Sequence, residues 1–288
     1  MSKMLKIGLT GSIGVMGQIL KNNFQNYFWD CFSGDILNTD DVNAWLKNSH
    51  SWDGLIHLAA IVPIHVVKQD PIHALRVNVE GTCRLLECLS KNLSKLPWLF
   101  LASTCHVYAS SHKFLKETDS TLPISMYGLT KLQAEQWAGV YERNQEFNIC
   151  IGRIFSCSSR LHPKSYFIPS MIEKILNAPR GAALQIRGLD GVRDFQSAGH
   201  ACKAIEFLFQ KRATGIFNIA SGMPVRLFDV VKRLQKKLNR EDLIITPLDE
   251  DVSSLSADLE KLRSLGFVPG VDLESLLDEA IAAYTTKD

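Results

Sequence analysis

The sequence predicts an α/β protein: a Rossmann-type, doubly wound parallel sheet with a smaller C-terminal substrate-binding lobe. Three observations carry that prediction. Short apolar runs alternate with helix-period stretches over roughly the first 150 residues, as successive βαβ units require. The run Gly54–Ala60 (GLIHLAA) is apolar on both faces, which suits a central strand covered by helices on each side. Thr10–Gly17 (TGSIGVMG) sets three glycines between a strand-like run and a helix-like one.

In chain order, Leu5–Thr10 reads as a strand, Gln18–Phe24 as a helix and Tyr27–Phe32 as a second strand. Asp40–Leu46 is helical, with Thr39 in position to cap it. Gly54–Ala60 follows as the third strand. Pro71–Lys91 then carries Leu75, Val79, Leu85, Leu86 and Leu89 at near-helical spacing. Trp98–Ala102 is a strand, Tyr127–Arg143 a long helix and Ile149–Ile154 another strand. After Phe155 the rhythm changes. Residues 156–194 hold Pro163, Pro169 and Pro179, with one short helix near Ile168–Leu176. Ala198–Gln210 (helix) and Gly215–Ala220 (strand) read as a return to the main sheet. A helix at Leu227–Leu238, a strand at Leu243–Thr246 and helices near Asp258–Leu262 and Leu273–Tyr284 complete the chain. The expected division is a dinucleotide-binding domain of 1–155 plus 195–221 and a substrate-binding lobe of 156–194 plus 222–288.

Composition narrows the classes of partner. A chain of 288 residues is long enough for one or two domains with a proper core. Its 32 Lys+Arg against 30 Asp+Glu leave a net charge of +2, so nothing argues for nucleic acid or an anionic membrane surface. The apolar stretch Gly54–Val67 is broken by His57, Pro63 and His65 and falls short of the ~20 residues of a bilayer span. The N-terminus has no apolar signal segment, and the seven cysteines lack metal-ligand spacing. A cytoplasmic protein with reduced thiols and no metal is expected.

The glycine turn is the first candidate site. Gly11 permits a tight turn, Gly14 lets the backbone approach a pyrophosphate, and Gly17 lets the helix pack on the strand. The free N–H groups of the helix start then face the phosphates. Between Lys21 and Lys47 there is no basic residue, but there are four aspartates, at 30, 35, 40 and 41. Acidic groups suit a ribose hydroxyl, whereas a 2′-phosphate needs Arg or Lys, so NAD is favoured over NADP. Asp30 comes early for the ribose position, and a solvated loop aspartate is the alternative.

Tyr127 and Lys131 form Y-x-x-x-K, one turn apart on the same helical face. The pair alone is common by chance. It gains weight by following the strand that ends in Ala102-Ser103-Thr104, where a parallel sheet presents side chains at its carboxyl edge.

These pieces, with Gly34-Asp35-Ile36, HLAA at 57–60, NVEGT at 78–82, STCHVY at 103–108 and YGLTK at 127–131, resemble the extended short-chain dehydrogenase/reductases. RIF at 153–155, FIP at 167–169, VRDF at 192–195 and FNIASG at 217–222 continue the resemblance over nearly the whole chain. Within that superfamily it looks like the NAD-dependent epimerase/dehydratase branch that acts on nucleotide sugars. The resemblance implies that Gly11, Gly14, Val15 and Met16 hold the pyrophosphate and that Asp35 and Ile36 flank the adenine; Asp30 stays the candidate for the ribose by its place after the second strand. It implies Leu58, Ala59, Ala60, Asn78 and Ile154 around the cofactor. It makes Tyr127 the proton donor or acceptor, Lys131 the grip on the nicotinamide ribose, and Thr104 the hydrogen-bond partner of the reacting oxygen. A phenol of ordinary pKa near ~10 is a poor acid or base at neutral pH, and an adjacent ammonium favours its phenolate. Cys105, His106, Ser156 and Arg193 are the substrate-side residues by the same resemblance, Arg193 on the diphosphate.

Departures narrow the reaction. Cys105 and His106 stand where 4,6-dehydratases carry an Asp-Glu pair, which argues against that reaction. Ser156 replaces an asparagine, and His200 an aspartate that caps a helix. His57 reads as a satisfied core histidine; His65 follows on the next loop. The expectation is hydride transfer at C4 of a nucleoside-diphosphate sugar by a 4-keto sugar reductase, the abbreviated second-strand region favouring reduction. A 4-epimerase with tightly held NAD is the alternative enzyme, and a non-catalytic dinucleotide-binding regulator the alternative of another class. The resemblance also implies a homodimer, with Pro71–Lys91 and Tyr127–Arg143 pairing across a two-fold axis.

Overall fold

The computed structural model describes residues 4–49, 51–62, 64–145, 147–248, 253–270 and 272–285. They form two units. The first comprises Met1–Ala109, Asp119–Ile154 and Cys202–Asn218; the second comprises Ser110–Thr118, Phe155–Ala201 and Ile219–Asp288.

The first unit is built on a six-stranded sheet. Its strands are β1 (Leu5–Thr10), β2 (Tyr27–Cys31), β3 (Gly54–His57), β4 (Trp98–Thr104), β5 (Ile149–Ile154) and β6 (Gly215–Ile219), in the order β2-β1-β3-β4-β5-β6. Strands β1 to β5 pair in parallel, with Leu9 beside Cys31 and Ile56, and Ile56 beside Phe100. The chain leaves β1 to one side for β2 and returns on the other side for β3. That reversal puts a crevice at the carboxyl ends of β1 and β3, where open α/β sheets bind ligands. Helices α1 (Val15–Asn23), α2 (Thr39–Asn48), α3 (Gly81–Asn92) and α4 (Met126–Gln145) make the crossovers with Ile64–Gln69, Pro71–Leu75 and the π-helical turn Arg76–Glu80.

Burial explains the strands. Leu55 and Ile56 in β3, and Leu99 and Phe100 in β4, are closed to solvent on both faces, so apolar side chains are favoured at consecutive positions. One face packs Trp45, Leu46, Leu85, Leu86 and Leu89 from α2 and α3 against Leu55, Leu99 and Ile151. Fully burying one such side chain is worth about 1.5–3 kcal/mol. Gly54 gives Phe209 room: a Cβ there would lie 2.5 Å from the ring.

Local details correct the sequence reading. α1 starts at Val15, and Asn38 rather than Thr39 caps α2, its side chain accepting from the Asp40 amide. The expected single helix Pro71–Lys91 is interrupted by the π turn at Arg76–Glu80.

The second unit has its own core. Leu227, Val230, Val231 and Leu234 recur at helical spacing along Leu227–Lys237, and they pack with Ile172, Ile175 and Leu277 from the helices Phe167–Asn177 and Leu273–Thr285. A four-stranded sheet orders Pro224–Arg226, Val192–Asp194, Ser254–Ala257 and Phe114–Leu115. The last pair explains a difference from expectation. Residues 110–118 join this unit because Phe114 and Leu115 pair with Ser256 and Ala257. Residues 155, 195–201 and 219–221 join it as well. No described helix is long and apolar enough to cross a membrane.

Candidate active site

β1 ends at Thr10 and α1 begins at Val15, with the glycine turn between them. Gly11 holds φ +72°. A Cβ there would stand 2.7 Å from the Ala59 amide nitrogen and 2.8 Å from the Leu58 carbonyl carbon. Only glycine lets this turn lie against Leu58–Ala60, at the end of β3. Gly14 differs: a Cβ would meet only the Gly11 carbonyl oxygen, at 3.3 Å, a mild crowding. Its bareness therefore suits a group approaching from outside. It caps α1 without a side chain, and the first turn has no acidic residue. The N–H groups of Val15 and Met16 and the positive end of the helix dipole suit an anion such as a pyrophosphate.

A buried polar chain fixes the strand ends beside this turn. The Thr10 hydroxyl accepts from the Ala59 amide at 3.2 Å and lies 2.6 Å from His57 Nδ1. His57 Nε2 is 3.1 Å from Thr82 Oγ1, which donates to the Asn78 carbonyl at 2.8 Å. One tautomer satisfies the chain: Nε2–H donates to Thr82, and Nδ1 accepts from Thr10. Complete burial, then the charge of Lys131, draws the His57 pKa down to about 3, so the ring is neutral. His57 is the satisfied core histidine that its apolar strand predicts. Asn78 sits in the π turn, a distortion found often at functional sites. Its Nδ2 donates to the Ile61 carbonyl and to Thr130 Oγ1, each at 3.0 Å, while Oδ1 accepts from the Ile61 amide at 2.7 Å. Its amide is used within the chain, holding the segment after β3 against α4.

The third part forms at the end of β4. Thr104 Oγ1 accepts from the His106 amide at 3.3 Å and caps the short turn Cys105–Val107. Helix α4 starts directly against that turn because its third residue is Gly128. A Cβ at Gly128 would overlap the His106 carbonyl oxygen and stand 3.0 Å from Pro123 Cβ. This close approach brings the Tyr127 and His106 rings to 6.1 Å, edge to face. Tyr127 and Lys131 are 8% and 4% exposed. Lys131 makes no hydrogen bond or ion pair of its own among the described residues. Burial draws its pKa down to about 8, and Glu135 opposes the shift. A buried ammonium with unused donors, one turn below a tyrosine, suits the hydroxyls of a ribose.

Behind Lys131 lies a set that the sequence reading did not assign. Glu135 accepts from Arg153 Nη2 at 2.8 Å, from Nε at 3.1 and 3.2 Å, and from Ser103 Oγ. Tyr108 lies over the Arg153 guanidinium at 4.6 Å and donates to Asn218 Oδ1 at 2.7 Å. Burial opposes the Arg153 charge, but the Glu135 bonds hold its pKa above the ordinary value. The spacing Lys131 to Glu135 was the available signal. The facing of Ser103 and Arg153 across β4 and β5 was not readable.

The remaining predicted residues fall differently. Asp30 stands opposite Gly8, short of the sheet edge, and its carboxylate accepts from Ser49 Oγ at 2.5 Å, Trp45 Nε1 at 2.8 Å and Trp52 Nε1 at 3.0 Å. Burial opposes ionisation, but these bonds bring its pKa below the usual value. They account for Asp30 as the tie between β2 and α2, and it does not join the glycine turn. Asp35 is exposed and accepts from the Leu37 amide, while Ile36 is buried against Gly81. Ile154 ends β5 beside Thr104, and Cys105 is buried within its turn.

Ser156 and Arg193 belong to the second unit. The Ser156 carbonyl accepts from the Gln196 amide at 2.9 Å, and Arg193 Nη1 donates to the carbonyls of Val192 and Ser253. His200 does not cap its helix; Ser197 Oγ accepts from the His200 amide at 3.0 Å, and the His200 ring accepts from the Gly270 amide.

The family described as GDP-mannose 4,6 dehydratase matches residues 16–280. A putative UDP-glucose 4-epimerase of Methanocaldococcus jannaschii is 26% identical, over 92% of this chain and 94% of its own. A GDP-6-deoxy-D-talose 4-dehydrogenase of Aggregatibacter actinomycetemcomitans is 25% identical, over 91% of each. Among solved structures, MoeE5 in complex with UDP-glucose and NAD superposes with a TM-score of 0.84 at 25% identity, covering 98% of this chain and 99% of that one.

Proposed function

The chain belongs to the family described as GDP-mannose 4,6 dehydratase, within the extended short-chain dehydrogenase/reductases, and from that premise we propose an NAD(P)-dependent oxidoreductase acting at C4 of a nucleoside-diphosphate sugar, a 4-keto sugar reductase. The observation that carries the reading is the buried, unpartnered ammonium of Lys131 one turn from Tyr127, whose ring meets His106 of the turn that Thr104 caps. The bare helix start at Gly14 supports a pyrophosphate and so a dinucleotide. When bound, the nicotinamide supplies or takes up the hydride.

The residues act on the proton and on position. Thr104 donates a hydrogen bond to the C4 oxygen. Tyr127 delivers its phenolic proton to that oxygen during reduction, and the phenolate left behind faces the charge of Lys131. Lys131 also donates to ribose hydroxyls. Gly11, Gly14, Val15 and Met16 hold the pyrophosphate, with Asp35, Ile36, Leu58, Ala59, Ala60 and Ile154 along the cofactor. Asn78 positions rather than touches, and Asp30 is left out because its carboxylate is occupied. Cys105 and His106, with Ser156 and Arg193, are proposed on the substrate side.

The reductase reading rests on the abbreviated second-strand region; among the described residues the sheet ends at β2. It also accords with a 25% identical relative named dTDP-4-dehydro-6-deoxyglucose reductase. The 4-epimerase alternative is favoured by the name of the M. jannaschii relative. Cys105 and His106 in place of an acidic pair weigh against dehydration. A thermal-shift screen of nucleoside-diphosphate sugars with NADH and NADPH tests the reading: paired stabilisation by one sugar nucleotide and one dinucleotide is expected, and none would overturn it. The ultraviolet spectrum of the purified protein separates the two enzymes. Stoichiometric bound dinucleotide means epimerase; dinucleotide-free protein means reductase.

A homodimer is part of the proposal. Met126, Leu129, Trp137 and Val140 form an exposed apolar stripe along α4, and Ile72 and Leu75 are also exposed. Sedimentation analysis with Trp137→Glu checks it. A cytoplasmic setting stays in the proposal on the cysteine pattern alone.

A further inference from the structure

A buried ammonium with no partner loses its proton unless a negative charge stands near. Glu135 lies one turn beyond Lys131 on α4 and is 5% exposed. It does not pair with the lysine, because its oxygens are held by Arg153 Nε and Nη2 and by Ser103 Oγ. We propose that Glu135 is a positioning residue for Lys131: a carboxylate clamped by Arg153 and Ser103, close enough to keep the lysine an ammonium and prevented from consuming its donors. A direct ion pair would occupy the N–H groups that the ribose and the phenolate need. A clamped carboxylate one turn away supplies charge and leaves the donors unused.

The surroundings support this. Burial pulls the Lys131 pKa down to about 8, and Glu135 is the group that pushes it back. Of the other elements packed on α4, β3 contributes His57, which is neutral. The turn Cys105–Val107 contributes His106, lying on the Tyr127 ring. β5 contributes Arg153, compensated by Glu135 itself. The helical stretch 64–80 turns Val67, Ala74 and Asn78 inward, and Glu80 pairs with Arg76 and Arg84. On α3, Glu87 pairs with Lys91 and accepts from Tyr141 of α4. On α4 itself, Tyr127 lies one turn before the lysine.

The consequence for catalysis rests on the proposed role of Lys131; the effect on its charge does not. The test is the titration of Lys131 by side-chain NMR of isotopically labelled protein, its resonance assigned by loss in Lys131→Met. Glu135→Leu/Arg153→Met removes both charges together, a change that buried ion pairs often tolerate. Glu135→Gln, which keeps an acceptor for Arg153 and Ser103, is read in the same way should the double variant not fold. We expect the midpoint, near 8 in the natural chain, to fall by about one unit or more. NADH affinity, followed by fluorescence, should decline at correspondingly lower pH, and Glu135→Asp should restore part of both. An unchanged midpoint in a folded variant overturns the inference and leaves a structural ion pair. A shifted midpoint in a chain that binds no dinucleotide overturns the functional reading instead.

Discussion

Each unit buries a carboxylate, and the two are neutralised by opposite means. Glu135 in the first unit meets a guanidinium, with Arg153 Nη2 at 2.8 Å. Asp194 in the second, fully buried, has no cation in its hydrogen-bond set among the described residues. It accepts from the Ser221 amide at 2.9 Å, from Ser221 Oγ and from the Gly222 amide at 3.1 Å. Burial lifts the Asp194 pKa above the ordinary carboxylate value despite these bonds. An acid served by neutral donors shapes a loop. An acid served by a cation, beside a second cation with unused donors, lets a local charge persist inside the protein. The chemistry is expected to follow the second arrangement and stability the first.

The largest expected effect lies at the top of the charged helix. Tyr127→Phe should lower kcat by ~10³-fold, the scale of lost general acid catalysis, with NADH affinity retained. Turnover near the natural rate would end the mechanism. Next comes the other carboxylate. Asp194→Ala should cost about 3 kcal/mol in urea unfolding, because buried donors at Ser221 and Gly222 lose their acceptor. Equal losses of turnover and stability at both carboxylates would erase the contrast. Gly128→Ala should push α4 off the His106 carbonyl and reduce kcat by about 100-fold through misplacement of Tyr127, with much less effect on NADH binding.

The smallest effect concerns the neutral histidine. The folded state holds His57 unprotonated down to about pH 3, whereas the unfolded chain takes up the proton near pH 6.5. Below pH 6.5 the unfolded state binds more protons, so stability falls as pH falls through that window. The slope from this one group is at most about 1.4 kcal/mol per pH unit. Comparing His57→Gln with the natural chain in urea at pH 7 and pH 5 should show the slope reduced.

Features written at short spacing were legible. The glycine turn, the Tyr127–Lys131 pair on one helical face and the apolar β3 each depend on residues within a few positions of one another. The bonds that Asp30 accepts were not legible, because Trp45, Ser49 and Trp52 approach it only when α2 folds back on the sheet. The strand Ser254–Ala257 was missed because its four residues are half serine and its partner Phe114–Leu115 lies far back in the chain.

The alternation of strands and helices, the glycine turn and the placing of Tyr127 and Lys131 on one helical face were set by the amino-acid order, because backbone periodicity and glycine sterics act locally. Tertiary structure alone decided which side chains share a buried volume: that His57 joins Thr10 to Thr82, that Asp30 is occupied, and that Arg153 clamps Glu135 behind Lys131. Those pairings follow from strand order and register. In a low-dielectric interior, they settle which charges survive.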